Sequence, residues 1–559
     1  GLCYRCRPMR LFPGARPLLF ALLCGWLLLE APALRAVSPA SQAVATENGL
    51  ATREAMAVLA AGGNAVDAAV CAALVAGVAS PTSSGLGGGG FAIVWLAREK
   101  RALALDFRET APAGIEPKDF DRRPLPVAEN GKLIGVPGEA AGLYELHRRF
   151  GKRPWAELVR RAERLANLGF AVEAHLASML VGSDAAKYQR DPALKALLFP
   201  AGKAALLGQR LRRQALGRTL ARLAQRGPNG FYSGPVAAEL ARVAREHGGA
   251  LSEQDFANYR VKERPPLAVH WEGREVYTMP APSGGGLMLA ETLSMMSRSE
   301  LRELGARTPL YVHILAEIMR GALADRQAYL GDPEQVKVDL AALLEPKRLA
   351  QRKLSIARDR THAAASFRGL ESGTHHLSVF DREGNAVALT TTINTAFGAD
   401  LLAPESGVIL NDQLDDFTSE QDARSFASDN PNRARPGARP LSSMTPTVVL
   451  EQGRVVLVIG GSGGAAIPPN VIEVLLAHLA FDEPIDQALA APRFQPVTGV
   501  PTLRLEDEWS PRTRAELAWR GERLAAVTSR TVAVQAIVQS AAGVQAAADP
   551  RKHGVAAAR

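Results

Sequence analysis

Cysteine is almost missing from this chain. Of four in 559 residues, Cys3, Cys6 and Cys24 lie close to the start and only Cys71 lies further in. That distribution excludes an internal disulfide and a cysteine-ligated metal from the body of the chain. Clustered positive charge is missing too. The 66 Lys+Arg exceed the 57 Asp+Glu by enough for a net +9, but no basic run or aromatic-basic stripe concentrates the excess, so a nucleic-acid surface is not expected. A long apolar run is also lacking. The dozen residues 18–29 are too few to span a bilayer; preceded by Arg7, Arg10 and Arg16 and followed by Ala31-Pro32-Ala33 and Leu34-Arg35-Ala36, they read as a secretory signal over residues 1–36. The expected location is periplasmic or secreted, with no stable membrane span once the signal is removed. Against these absences stands a hydrophobic content of 47%, enough for a large core.

Residues 51–61 have helical periodicity and stop at Gly62-Gly63, and residues 64–78 form an Ala/Val-rich stretch with few polar positions, expected as a buried helix. Gly85, Gly87 and Gly90 satisfy G-x-G-x-x-G, yet a helix precedes them and the strand 91–96 follows. A dinucleotide loop requires the opposite order, so close backbone packing is the expectation. Strand 102–107 leads into Arg108. Residues 143–223 read as amphipathic helices without evident chemistry. His313 and Glu317 are four apart on a predicted helix, but no third ligand accompanies them, and a structural hydrogen bond is expected instead of a metal. A helix is predicted over residues 345–365, followed by a mobile linker into Gly373.

The stretch 371–417 is the most informative. Leu377-Ser378-Val379-Phe380 alternates, Asp381-Arg382-Glu383-Gly384-Asn385 is a turn, and residues 386–393 alternate again, which predicts a hairpin. Thr374 opens its first strand directly after Gly373. There the threonine Oγ can attack the preceding carbonyl in an N→O acyl shift, and hydrolysis of the ester would leave Thr374 as a chain end. An N-terminal threonine carries its own base, an α-amine of pKa about 8. Taken singly, Thr374 reads as an ordinary strand threonine; the accompanying motifs reverse that reading. A second predicted hairpin, 448–450 with 455–459, leads through Gly460-Gly461-Ser462-Gly463-Gly464 to a helix from about Pro468. Gly461, Gly463 and Ala466 fit a nucleotide-loop variant, but the preceding unit is antiparallel and no strand ending in an acid follows.

The residues beyond that strand narrow the chemistry. Thr390-Thr391-Thr392-Ile393-Asn394, then Asn411-Asp412-Gln413-Leu414-Asp415-Asp416-Phe417, then Arg439-Pro440-Leu441-Ser442-Ser443-Met444, together with Asp106-Phe107-Arg108-Glu109, resemble the γ-glutamyltranspeptidase family, in its bacterial form. Proenzymes of that family cut themselves before such a threonine. The resemblance implies an α/β chain with a four-layer αββα sandwich, the N-terminal nucleophile hydrolase fold, assembled from two autocleaved subunits: residues 37–373 as the large one and 374–559 as the small catalytic one, forming a heterodimer. It implies cleavage between Gly373 and Thr374, with Thr374 as nucleophile, Thr392 orienting it, and the N–H groups of Gly463 and Gly464 as oxyanion hole. It further implies that Arg108, Ser442 and Ser443 hold the substrate's α-carboxylate, Gln413 and Asp416 its α-amino group, and that Asn394 contacts nucleophile and substrate. The implied donors are glutathione and other γ-glutamyl compounds and the acceptors water, amino acids or peptides, with no cofactor and no metal.

Three places depart from the family pattern: His375 replaces a second threonine, Ser462 stands where a proline is usual, and the segment where some members carry an aromatic lid offers only Phe426. Two alternatives therefore stay open. One is a cephalosporin-acylase-like amidase with the same fold and nucleophile; the other is a secreted, unprocessed binding protein in which His375 and the altered glycine loop have silenced the chemistry.

Overall fold

The hairpin read from the residues around Thr374 forms the centre of a computed structural model that describes residues 40–120, 125–362, 373–424, 429–497, 501–527 and 532–559. Within it, the Asp381 carboxylate closes the turn by accepting from the backbone N–H groups of Glu383 and Asn385. The expected signal, the residues just ahead of Gly373, and Phe426 lie outside the described residues.

Thirteen strands build the two large sheets among the described residues. Along the chain they are β1 (Ala43–Thr46), β2 (Gly89–Leu96), β3 (Arg101–Phe107), β4 (Lys262–Arg264), β5 (Leu267–Trp271), β6 (Arg274–Thr278) and β7 (Gly373–Phe380). They continue with β8 (Ala386–Asn394), β9 (Thr447–Glu451), β10 (Arg454–Ser462), β11 (Ala533–Ser540), β12 (Gly543–Ala548) and β13 (Val555–Ala558). The first sheet has the order β13-β1-β7-β8-β2-β3-β4 and the second β12-β11-β10-β9-β6-β5. Each sheet takes strands from both sides of the Gly373–Thr374 bond.

Strands β2, β7 and β8 are buried along their whole length because both faces of the first sheet are covered. One face of β7 and β8 meets β10 of the second sheet. The other lies under α2 (Ala65–Ala79), after α1 (Gly49–Ala60), and all fifteen residues of α2 are buried. Asn64 caps α2 reciprocally with Asp67, and its small side chains let the helix sit close to the strands. On the outer face of the second sheet pack α3 (Gly285–Met295) and α6 (Ile467–Phe481), with α4 (Pro309–Tyr329) and α5 (Pro346–Ser355) beyond α3. The segment Gly464–Phe481 is long and apolar enough to cross a membrane, but 72% of it is buried, as a core helix requires.

One expectation changes in detail, and the structural hydrogen bond expected of His313 is present. The helix predicted over 345–365 ends at Ser355: the Ala357 carbonyl is taken by His313 Nε2, and the Thr361 N–H and hydroxyl both donate to the Arg520 carbonyl, so tertiary partners claim the backbone groups that further turns would use. His313 bonds Glu522 and Ala357 and not Glu317, whose carboxylate pairs with Arg320. The glycine run ahead of β2 packs backbone to backbone. A Cβ on Gly87 would lie 1.9 Å from the Ile409 carbonyl oxygen, and one on Gly88 2.0 Å from that of Thr392.

Candidate active site

The antiparallel register of β7 and β8 sets Thr374 opposite Thr392, and Asn394 opposite Gly373 after a bulge. A single hydroxyl organises this end of the hairpin. Thr392 Oγ1 donates to the Gly373 carbonyl oxygen at 2.8 Å, accepts from the Asn394 N–H at 2.9 Å, and lies 3.3 Å from Thr374 Oγ1. Its one proton is committed to Gly373, so Thr374 is the donor in the last contact. The carbonyl of the Gly373–Thr374 peptide and the adjacent hydroxyl are therefore held by the same group, and the carbonyl is polarised by it. Asn394 is at φ 76°, in the left-handed region, which aims its Nδ2 at the Asp412 carbonyl oxygen, 3.1 Å away; its Oδ1 is buried without a partner.

The loop after β10 approaches the same spot. Gly463 and Gly464 adopt φ 112° and 68°, which favour glycine, and both are buried. Just before them, Ser462 Oγ lies 2.7 Å from Lys552 Nζ, and that ammonium stands 3.2 Å from the Thr374 carbonyl oxygen and 3.2 Å from Glu47 Oε2. The second carboxylate oxygen of Glu47 accepts from the His376 N–H at 3.0 Å. The loop and the Thr374 strand thus meet at one cation.

From Asn394 the contacts lead to the polar cluster. Arg108, at the end of β3, is 1% exposed; its Nη2 lies 2.5 Å from Asp416 Oδ2 and 2.6 Å from the Leu441 carbonyl oxygen, and its Nε 3.3 Å from that of Pro440. Gln413 Nε2 donates to the same Asp416 oxygen at 2.7 Å, while Gln413 Oε1 is buried without a partner. Burial raises the Asp416 carboxyl above the usual carboxylate range, against the pull of Arg108. Ser442 and Ser443 follow Leu441 directly and are buried; the Ser442 hydroxyl accepts from the Met444 N–H at 3.1 Å, and its backbone bridges to Ser283. The structure thus brings Thr374, Thr392 and Asn394 together, brings Arg108, Gln413, Asp416 and the segment 440–443 together, and joins the two groups through residues 411–413. A cation, an anion, an amide and two hydroxyl residues in one place suit a ligand bearing both an ammonium and a carboxylate.

Sequence reasoning missed Lys552 and Glu47. Neither stands in a glycine-rich or catalytic motif, and Lys552 lies 178 residues from Thr374. The nearest signal was Ala548-Asp549-Pro550-Arg551. Arg551 there pairs with Glu506 at 2.6 Å, and Asp549 with Arg493 at 2.7 Å, so two separate stretches brace one buried turn. Among the described residues no group of three or more His, Cys, Asp or Glu side chains is arranged to hold a metal ion.

Residues 51–559 match the sequence model of the family described as Gamma-glutamyltranspeptidase. The chain is 34% identical over 536 residues to "Glutathione hydrolase proenzyme" of Pseudomonas aeruginosa, covering 92% of this chain and 94% of that relative. Among solved structures, gamma-glutamyltranspeptidase from Helicobacter pylori superimposes with a TM-score of 0.53 at 31% identity, over 56% of this chain and 91% of that one. Cephalosporin acylase from Bacillus halodurans superimposes with a TM-score of 0.82 at 24% identity, over 93% and 96%.

Proposed function

Because the chain belongs to the γ-glutamyltranspeptidase family, we propose that it is a self-processing γ-glutamyltransferase and glutathione hydrolase with the N-terminal nucleophile hydrolase fold. The observation that carries this is the Thr392 hydroxyl, which bonds the Gly373 carbonyl and lies against the Thr374 hydroxyl beside a cluster suited to an amino-acid head. In processing, Thr374 Oγ adds to the Gly373 carbonyl carbon, the C–N bond breaks, and the nitrogen takes the hydroxyl proton. Water then hydrolyses the ester, leaving a Gly373 carboxylate and a free Thr374 amine. Residues 37–373 and 374–559 remain associated as large and small subunits. The shared sheets support this, since each of the two large sheets draws strands from both halves.

In turnover the freed α-amine removes the Thr374 Oγ proton as Oγ attacks the γ-carbonyl of the donor, and the Gly463 and Gly464 N–H groups receive the oxyanion. Each such donor is worth about 3–4 kcal/mol in the transition state. The amine of the leaving peptide departs with the proton, and water or the amine of an amino acid or peptide takes the acyl group from Thr374. Arg108 with Ser442 and Ser443 holds the donor's α-carboxylate, Asp416 and Gln413 its α-ammonium, and Asn394 stands between substrate and nucleophile. Glutathione is the donor named for the relatives, and the first 36 residues direct the protein to the periplasm or outside the cell.

Gel electrophoresis of purified protein tests processing. Two fragments are expected for the wild type, the smaller beginning Thr-His-His, and one full-length band for Thr374→Ala; a lasting full-length wild-type band would favour the silent binding protein. Turnover of a γ-glutamyl anilide in preference to a glutaryl anilide is expected, and the reverse preference would favour the acylase. The likeness to the acylase is one of fold; Arg108, Gln413 and Asp416 argue for the amino-acid donor.

A further inference from the structure

We propose that Lys552 is a positioning residue for the nucleophile, a buried cation that fixes Thr374 against the oxyanion loop and whose charge keeps the freed Thr374 amine unprotonated. This rests on Thr374 being the nucleophile that acts through its own amine.

The geometry is specific. Lys552 Nζ is shared by the Thr374 carbonyl oxygen, Ser462 Oγ and Glu47 Oε2, at 3.2, 2.7 and 3.2 Å, and both charged side chains are almost fully buried, at 2% and 4% exposure. All three donor positions of an ammonium are used. One contact is to the nucleophile itself, one to the residue before Gly463, and one to the strand edge through Glu47. The lysine is not a flexible tether, since its short turn Pro550–Lys552 is capped by Asp549 and held by the Arg551–Glu506 and Arg493–Asp549 pairs. The Thr374 nitrogen is three bonds from the carbonyl oxygen that Lys552 touches, so ammonium and amine come within about 6 Å. A like charge at that range disfavours protonation of the amine.

The groups facing this point are Glu47 from the end of β1, His375 and His376 on β7, Glu173 and His175 from the helix Ala174–Met179 and its cap, and Lys552 with His553 from the C-terminal turn. Burial lowers His375 and His376, and His175 is pushed down to about 3 by burial with Lys552 as the next cause. His375 and His376, both buried, and the half-buried His175 are thus neutral near pH 7, and Lys552 is the cation at the nucleophile. Ser462 supplies the hydroxyl that joins this cation to the glycine loop.

The test is the pH profile of kcat/KM for the processed enzyme on a γ-glutamyl anilide, whose acid limb reports the free-enzyme base. Lys552→Gln should move that limb up by about one pH unit and lower kcat more than it changes KM, because Glu47 then faces the amine unopposed. Lys552→Arg should keep the limb near its wild-type position. Glu47→Gln should move it down, the opposite direction, since the cation loses its counter-charge. Acid limbs that stay put in both Gln variants, or move the same way, would overturn the proposal. Should Lys552→Gln remain unprocessed, the direction of the Glu47→Gln shift decides. An unprocessed, inactive wild type would instead refute the nucleophile assignment.

Discussion

Arg108 and Asp416 neutralise each other: Nη2 and Oδ2 are 2.5 Å apart, at 1% and 6% side-chain exposure. In the proposed site one of them receives the substrate's carboxylate and the other its ammonium. An amino-acid head would therefore exchange one buried ion pair for two, and a ligand with only one of the two charges would leave a partner uncompensated. Preference for zwitterionic heads is the consequence of that exchange.

Removing one partner of a buried pair leaves a charge stranded, at a typical cost of about 3–5 kcal/mol. Asp416→Ala should lower stability by that order in denaturant unfolding and raise KM for γ-glutamyl donors. The double variant Arg108→Leu with Asp416→Leu should recover much of the stability and none of the activity.

Thr392→Val removes the hydroxyl that donates to the Gly373 carbonyl. If that bond polarises the scissile carbonyl, self-cleavage should slow by about 10²–10³-fold, the usual effect of losing one such donor. Thr392→Ser keeps the hydroxyl and should cleave nearly normally. A time course of fragment appearance on gels measures both.

Gly88→Ala would place a Cβ 2.0 Å from the Thr392 carbonyl oxygen, whereas the nearest atom to a Cβ on Gly114 is 3.5 Å away. Gly88→Ala should therefore cost at least about 1–3 kcal/mol and impair cleavage by displacing β8. Gly114→Ala should leave both nearly unchanged. Thermal unfolding and processing yield, measured side by side, distinguish strain at the site from general sensitivity to alanine.

Glu139 is buried below Thr391, where it meets the Ser84 hydroxyl, and burial raises its carboxyl to about 8 from 4.5. A carboxyl raised on folding binds its proton more tightly in the native state. Its contribution is fully present below pH 4.5 and is lost as pH rises through about 8. Glu139→Gln cannot titrate, so its stability relative to wild type should increase steadily from pH 5 to pH 8 in urea unfolding. A constant difference across that range would contradict the assignment.

How much could be read beforehand depended on sequence distance. Thr374 and Thr392 lie on two strands of one hairpin, and alternation plus an Asp-x-x-Gly-Asn turn fixes which residues oppose each other. Their pairing was therefore legible. The end of the helix at Ser355 was not, because it depends on His313 and Arg520, which reach it from other elements.

By itself the sequence determined the hairpin at Thr374, the buried helix α2, the glycine turns and, through resemblance, the residue types expected of an amino-acid site; these are local patterns, or ordered motifs that survive without coordinates. Only the tertiary structure decided that Arg108 closes on Asp416 and that Lys552, together with Glu47 from far away in the sequence, stands beside Thr374. Strand order in a shared sheet sets such meetings: β13 lies beside β1, and β1 beside β7, which draws strands from the two ends of the described region to the Thr374 strand, and no periodicity along the sequence encodes that adjacency.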